Sequence, residues 1–215
     1  YKTEYFYDWL ASYHKWIENR IDYFIRNNTK QHSSIVYSGG GAQNTVYNER
    51  LSNEYELIIP PHCYDGGLSL GCIKFISEYL GKEVYVDEFP FCHTDQDLGY
   101  ASNDTIEKVV DLLVNGKIVG WCQGRSEIGP RALGHRSILV NPSIHNAKDI
   151  LNNRIKKREA WRPFAASILR EDVERITGKS KDLNYMLHAV PVLQDYIDNL
   201  KSVVNIDGTC RFQSV

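Results

Sequence analysis

The sequence predicts an α/β protein. Three stretches carry that expectation: SSIVYS runs into GGGAQN at 33–44, YELIIPP into HCYDGG at 55–67, and KIVGWCQG at 117–124 into an arginine-rich turn. In each, a short apolar run reaches a glycine-containing turn, and the first two turns are followed by stretches of helical spacing. Strand, turn and helix in alternation are the pattern of α/β organisation, with the turns at strand ends as the places for function.

The elements follow in order. Residues 3–28 place Phe6, Leu10, Tyr13, Trp16, Ile17, Ile21, Phe24 and Ile25 at helical spacing, a long amphipathic helix. The strand SSIVYS, the helix AQNTVYNERL and the strand YELIIPP come next, and LSLGCIKFISEYLG makes a helix with Gly81 as its stop. The irregular, polar DEFPFCHTDQDLGYASN at 87–103 marks a boundary, with a first domain over 1–86 and a second over 104–215. TIEKVVDLLVNG is helical through Ile106, Val109, Val110, Leu113 and Val114, with Gly116 at its end. KIVGWCQG and Ser137–Val140 read as strands, NAKDILNNRIKKRE as a helix begun by NPS, and WRPFAASIL as a strand. The tail is mixed and ends inside a strand. No repeat or low-complexity segment is present.

At 215 residues the chain can bury a sizeable core. It has no run of about 18 apolar residues, so no membrane is expected as a partner. Five scattered cysteines without a CxxC pair argue against a disulfide framework or a zinc knuckle and fit a reducing, cytoplasmic setting. The opening YKTEYFYDWL lacks an initiator Met, as expected of a piece of something longer.

The net charge of −2 hides an asymmetry. Lys117 to Arg170 holds 11 Lys and Arg against 3 Asp and Glu, and the remainder 14 against 24. One region is built to meet negative charge. Its centre is GRSEIGPRALGHRS at 124–137, where Arg125, Arg131 and Arg136 surround a Gly-Pro turn. KKREAWRPF at 156–164 adds Lys157, Arg158 and Arg162, and helical spacing puts Arg154, Lys157 and Arg158 on one face with Lys156 elsewhere. Several guanidinium forks converging on one point suit a phosphate dianion, and Glu127 and Glu159 fit a role in orienting them. A solvated basic face would give the same composition, but these arginines sit among Gly, Pro and apolar residues at element ends. Nucleic acid is disfavoured, because Trp121, Trp161 and Phe164 read as core and not as an exposed stacking surface.

Two further turns carry chemistry. Glycines 39–41 before a helix let a backbone approach phosphate, though the same turn occurs without a ligand. Asp65, beside two glycines, fits either a metal ligand or a cap of the next helix. His62 reads as a surface residue, and the side chain of His135 is expected to face outward. No spacing supports a nucleophilic triad.

GRSEIGPRALGHRSILVNPS, LNNRIKKREAWRPFAASIL and IDGTCRFQSV together resemble the C-terminal, YrdC-like domain of the NodU/TobZ-type O-carbamoyltransferases. YSGGGAQNTVYNERL and IIPPHCYDGGLSLG resemble the last part of the actin/Hsp70-like ATPase lobe that precedes it in that family. The resemblance implies a remnant of that lobe followed by a YrdC-like domain with a twisted sheet. It further implies that carbamoyl phosphate and ATP, with Mg2+, form carbamoyl adenylate, whose carbamoyl group passes to a hydroxyl of a small-molecule acceptor. By the same resemblance Arg131, Lys157 and Arg162 would be catalytic. Arg125, Glu127, Arg136, Ser137, Arg158, Ser167 and Arg211 would bind carbamoyl phosphate and ATP. Gly39, Gly40 and Asn44 would hold a nucleotide in the ATPase-like lobe, and Asp65 would ligate iron or another divalent metal. Gly41 and Gln43 depart from the commoner Val and Leu of the family's turn, and the segment supplying the family's metal-binding histidines is not in this sequence. Other readings are a YrdC-type carbamoyl-adenylating protein of tRNA modification or hydrogenase maturation, and a non-catalytic nucleotide- or RNA-binding module.

Overall fold

The computed structural model describes residues 4–93 and 96–215; Thr3, in the first expected helix, and Thr94 and Asp95, in the expected linker, lie outside the described residues. The fold is mixed α/β. Helix α1 (Glu4–Asn28) is followed by strand β1 (Ser34–Val36), a 3-10 turn (Gly40–Gln43), α2 (Thr45–Leu51) and β2 (Glu56–Ile58). β1 and β2 pair in parallel, Ser34 opposite Glu56 and Val36 opposite Ile58. The helix expected over 42–51 is therefore split: Asn44 interrupts it and caps α2, its Oδ1 accepting from the Tyr47 amide at 3.1 Å.

Only the C-terminal half of α1 is packed. Ile25 is buried with Tyr47, Leu51 and Tyr55, while Trp9, Tyr13 and Trp16 stay exposed in a stack. Arg50 of α2 fastens this half by ion pairs to Glu18 and Asp22, both at 2.8 Å.

A second 3-10 turn (Asp65–Gly67) leads into α3 (Leu68–Tyr79), and α4 (Asn103–Val114) follows, its N-cap Ser102 accepting from the Thr105 amide. Strands β3 (Val119–Cys122) and β4 (Arg136–Leu139) form an antiparallel pair, Cys122 opposite Arg136, so the arginine turn is the loop of a hairpin. α5 (Ala147–Ile150) continues as a wider π-helix over Leu151–Lys156. β5 (Ala165–Ile168), α6 (Val173–Thr177), β6 (Ala189–Pro191) and β7 (Thr209–Ser214) complete the chain. β7 is the middle strand of a three-stranded sheet, parallel to β5 and antiparallel to β6. Ala166, Ile168, Val173, Ile176, Leu183, Val190, Cys210 and Phe212 form the largest core on this sheet. No described helix is long and apolar enough to cross a membrane.

The early and late parts of the chain meet in a buried junction. Asn48, fully buried on α2, donates to the carbonyls of Ala42 and Leu187, each at 2.8 Å. Beside it Glu49 pairs with Lys181 at 2.6 Å, Lys179 at 3.2 Å and His188 at 3.4 Å. Burial pushes the Glu49 pKa up, but His188, Lys181 and Lys179 outweigh burial and hold it at about 2. A depressed carboxyl stabilises the fold above its ordinary value near 4.5 and loses that contribution as pH falls toward 2. Glu49→Gln is expected to cost about 3 kcal/mol in urea unfolding at neutral pH, with the difference from the parent shrinking over that acid window.

Candidate functional site

The loop of the β3–β4 hairpin is built around one carboxylate. Glu127 Oε1 accepts from the amides of Leu133 (2.6 Å), His135 (2.8 Å) and Arg136 (3.2 Å). Burial would raise the Glu127 pKa, yet the backbone hydrogen bonds led by Leu133 hold it below the ordinary carboxylate value. Glu127 thus serves main-chain amides, where the sequence suggested a partner for guanidinium groups.

Arg136 is drawn into the same structure. Its Nη1 donates to the carbonyls of Gln123 (2.7 Å) and His135 (3.1 Å), and its Nη2 to those of Gln96 and Gly124, both at 3.1 Å. Ser137 Oγ accepts from the Gly134 amide. His135 is buried, against the outward orientation expected: its Nδ1 meets the Arg125 carbonyl at 2.7 Å and its ring stacks on Phe91 at 3.8 Å. Gly124 leaves the ring room, since a Cβ there would stand 3.0 Å from its Cε1.

The loop rests on the earlier part of the chain. Gly129 has φ 119°, and a Cβ there would lie 2.4 Å from the Pro61 carbonyl oxygen, so only glycine fits this approach. Next to Pro61, the buried Cys63 lies close enough to Arg131 for the two to interact electrostatically, and its carbonyl accepts from the Gly39 amide at 2.6 Å. Through Cys63 the glycine turn and the arginine loop become neighbours.

Three guanidinium groups converge behind this contact. Arg131 comes from the loop, Arg158 from the segment after the π-helix, and Arg211 from the middle strand β7. Burial pushes the Arg211 pKa down, and the charges of Arg131 and Arg158 push it further, to about 10. Burial likewise lowers Arg131. The Nε atoms of Arg131 and Arg211 are buried and meet no hydrogen-bond partner. No carboxylate pairs with any of the three among the described residues. Half-buried like charges with unsatisfied donors are an unfavourable arrangement in isolation, and a dianion is the group that would satisfy them. Gln213 of β7 ties the loop to the sheet, its Nε2 donating to the Leu133 carbonyl at 3.1 Å.

Arg158 reaches the cluster by a route the sequence did not give. The helix ends at Lys156, and Lys157 takes a left-handed conformation (φ 48°, ψ 54°), so Arg154, Lys157 and Arg158 do not share a helical face. Asn152, fully buried, directs the turn instead. Its Oδ1 accepts from Arg158 Nε at 2.7 Å, its carbonyl accepts from the Arg158 amide, and Arg158 lies over the Phe164 ring at 4.8 Å. An amide one position past Leu151, on the buried side of the helix, was the available signal, since such a group must find partners.

The remaining candidates lie apart. Arg125, Lys157, Arg162 and Ser167 are exposed; Arg162 pairs with Glu159 at 3.6 Å, and Ser167 lies on β5 opposite Gln213. Gly39 and Gly40 face open space, whereas Gly41 leaves room for the Tyr37 hydroxyl, 2.9 Å from where a Cβ would stand.

Comparison with known proteins gives the family. Residues 110–215 match the family described as carbamoyltransferase C-terminus. The chain belongs to this family. The nodulation protein NolO of Bradyrhizobium diazoefficiens is 32% identical over 97% of the chain and 43% of that protein. The 3'-hydroxymethylcephem-O-carbamoyltransferase of Amycolatopsis lactamdurans is 31% identical over 88% of the chain and 38% of that protein. Nodulation protein U of Sinorhizobium fredii is 29% identical over 97% of the chain and 40% of that protein. The chain spans about two fifths of the length of these relatives.

Of the three converging arginines Arg211 lies on a strand and Arg131 and Arg158 do not, and all three fall inside the matched region. A metal fits less well. Asp65 stands exposed at the start of its 3-10 turn, and no three His, Cys, Asp or Glu side chains gather among the described residues. A stable divalent site needs several such ligands, so the described residues of this chain do not compose one.

Proposed function

We propose that this chain is the carbamoyl-activating part of an ATP-dependent O-carbamoyltransferase. The observation that carries the reading is the half-buried set of Arg131, Arg158 and Arg211, in which the Nε atoms of Arg131 and Arg211 are unpartnered and no acidic side chain pairs with any of the three among the described residues. Carbamoyl phosphate is the anion that the family suggests. In the proposed sequence one water attacks the phosphorus of carbamoyl phosphate, the P–O bond to the carbamoyl group breaks, and carbamate and phosphate result. A carbamate oxygen then attacks the α-phosphorus of ATP and pyrophosphate leaves. The acceptor hydroxyl finally attacks the carbamoyl carbon and AMP leaves. The name of the Amycolatopsis relative, with its hydroxymethyl group, supports a hydroxyl acceptor.

In this reading the arginines hold the phosphates and stabilise charge as phosphoryl and adenylyl groups move. The loop's contact with Pro61 and Cys63 shields the labile carbamate from water. Lys157 and Arg162, exposed and apart from the cluster, would have to close on bound nucleotide.

The test is exchange of labelled pyrophosphate into ATP, dependent on carbamoyl phosphate, alongside calorimetry of carbamoyl phosphate binding. Arg131→Ala is expected to abolish the exchange and to weaken binding by roughly 30- to 1000-fold, as losing a buried charge-assisted contact does. Unchanged carbamoyl phosphate affinity in Arg131→Ala would sink this reading.

A further inference from the structure

The arginine cluster accounts for the phosphate end of a nucleotide and leaves its base without a partner. Trp161, expected in the core, is 69% exposed, an unusual place for the largest apolar side chain. Its backbone, by contrast, is fixed on both sides. Asn152 Nδ2 donates to the carbonyls of Ala160 at 3.2 Å and Arg162 at 3.0 Å, the two residues that flank Trp161. The same side chain holds Arg158 through Oδ1 at 2.7 Å. One buried amide therefore aims Arg158 into the cluster and presents the indole to solvent.

The spacing suits a single ligand. Trp161 is three residues from Arg158, so the chain separates them by at most about 10 Å. That is within the reach of one nucleoside triphosphate lying between base and phosphates. No other aromatic ring covers the indole among the described residues, although Phe164 nearby is occupied by Arg158. A rigid loop holding a bare aromatic face beside a phosphate-binding cluster is the construction by which bases are stacked.

We infer that Trp161 is the stacking platform for the base of the nucleotide whose phosphates meet Arg131, Arg158 and Arg211. This rests on the nucleotide reading above and adds the residue that distinguishes ATP from bare polyphosphate. Stacking accepts any base and favours the larger purine face.

ATP and inorganic tripolyphosphate are titrated by calorimetry into the 215-residue chain and into Trp161→Ala, Trp161→Phe and Arg131→Ala. Trp161→Ala is expected to weaken ATP roughly 5- to 150-fold and to leave tripolyphosphate unchanged, with Trp161→Phe recovering most of the loss. If the parent binds both ligands and Trp161→Ala binds ATP equally well, the platform is overturned while the arginine site stands. Equal weakening of both ligands in Trp161→Ala also overturns it, because the residue then acts on the loop and not on a base. Failure of the parent to bind either ligand, or tripolyphosphate binding untouched in Arg131→Ala, overturns the arginine reading and the platform with it.

Discussion

Arg211→Met is expected to make the ligand-free protein more stable and to abolish its response to carbamoyl phosphate. The Arg211 guanidinium is pushed down to about 10 by burial and by the neighbouring charges of Arg131 and Arg158, and its Nε has no partner. Folding therefore carries an electrostatic cost that an apolar side chain of similar length removes. Both folded and unfolded states hold the proton at neutral pH, so the cost is fully present there. It is relieved only above pH about 10, where the folded protein releases the proton before the unfolded chain does. Allowing for solvent screening, roughly 2 kcal/mol is at stake, or about 4–8 °C in the thermal midpoint of a chain this size. Carbamoyl phosphate at 100 times its Kd should stabilise the parent by about 2.7 kcal/mol and the variant not at all. Arg136→Met gives the opposite sign, a loss of about 2–4 kcal/mol, because its guanidinium is engaged by four loop carbonyls. Scanning calorimetry with and without carbamoyl phosphate decides the matter. A destabilised Arg211→Met would mean that this guanidinium supports the sheet and awaits no anion.

The opposed signs at Arg136 and Arg211 mark how far the sequence could be read. All the arginines that carry the site were visible as residue types near glycine and proline, and the hairpin holding Arg131 and Arg136 follows from KIVGWCQG and RSIL. Sequence alone gave no way to separate a guanidinium that braces a loop from one that waits for a ligand. That distinction depends on carbonyls from 96, 123, 124 and 135 turning toward one side chain, which is a property of the folded loop. Arg211 has no arginine near it in IDGTCRFQSV; β7 brings it to the others only by pairing in the middle of its sheet.

Helical periodicity failed at a definite place. Extrapolating it through KKRE put Lys157 and Arg158 on one face with Arg154, but the left-handed Lys157 ends the π-helix there. Asn152 wins that competition by supplying hydrogen bonds to the chain as it leaves the helix, a local alternative to continued helix. The same residue fixes the backbone on both sides of Trp161, which is exposed where its sequence neighbours point to the core.

Glu127 is the residue on which the loop geometry converges, and Glu127→Ala is expected to release it. Three amides share its Oε1, and two of them belong to the buried Leu133 and His135. Hydrogen bonds to a charged acceptor contribute about 1.5–3 kcal/mol each, less when shared, so about 3–5 kcal/mol is expected from the alanine variant. Glu127→Gln keeps an oxygen acceptor and loses the charge, for a smaller cost of about 1–2 kcal/mol. The carboxyl is held below its ordinary value, so its contribution is present above the unfolded value of 4.5 and fades as pH falls below it. Urea unfolding gives the magnitudes, and amide hydrogen exchange locates them. In Glu127→Ala the amides of Leu133, His135 and Arg136 should lose protection while those of β7 between Thr209 and Ser214 keep theirs. Arg131 lies within this loop, so carbamoyl phosphate affinity should fall together with that protection. Retained protection at the three amides would show that the hairpin and the Pro61 contact hold the loop without the carboxylate, and that Arg131 is aimed by packing instead.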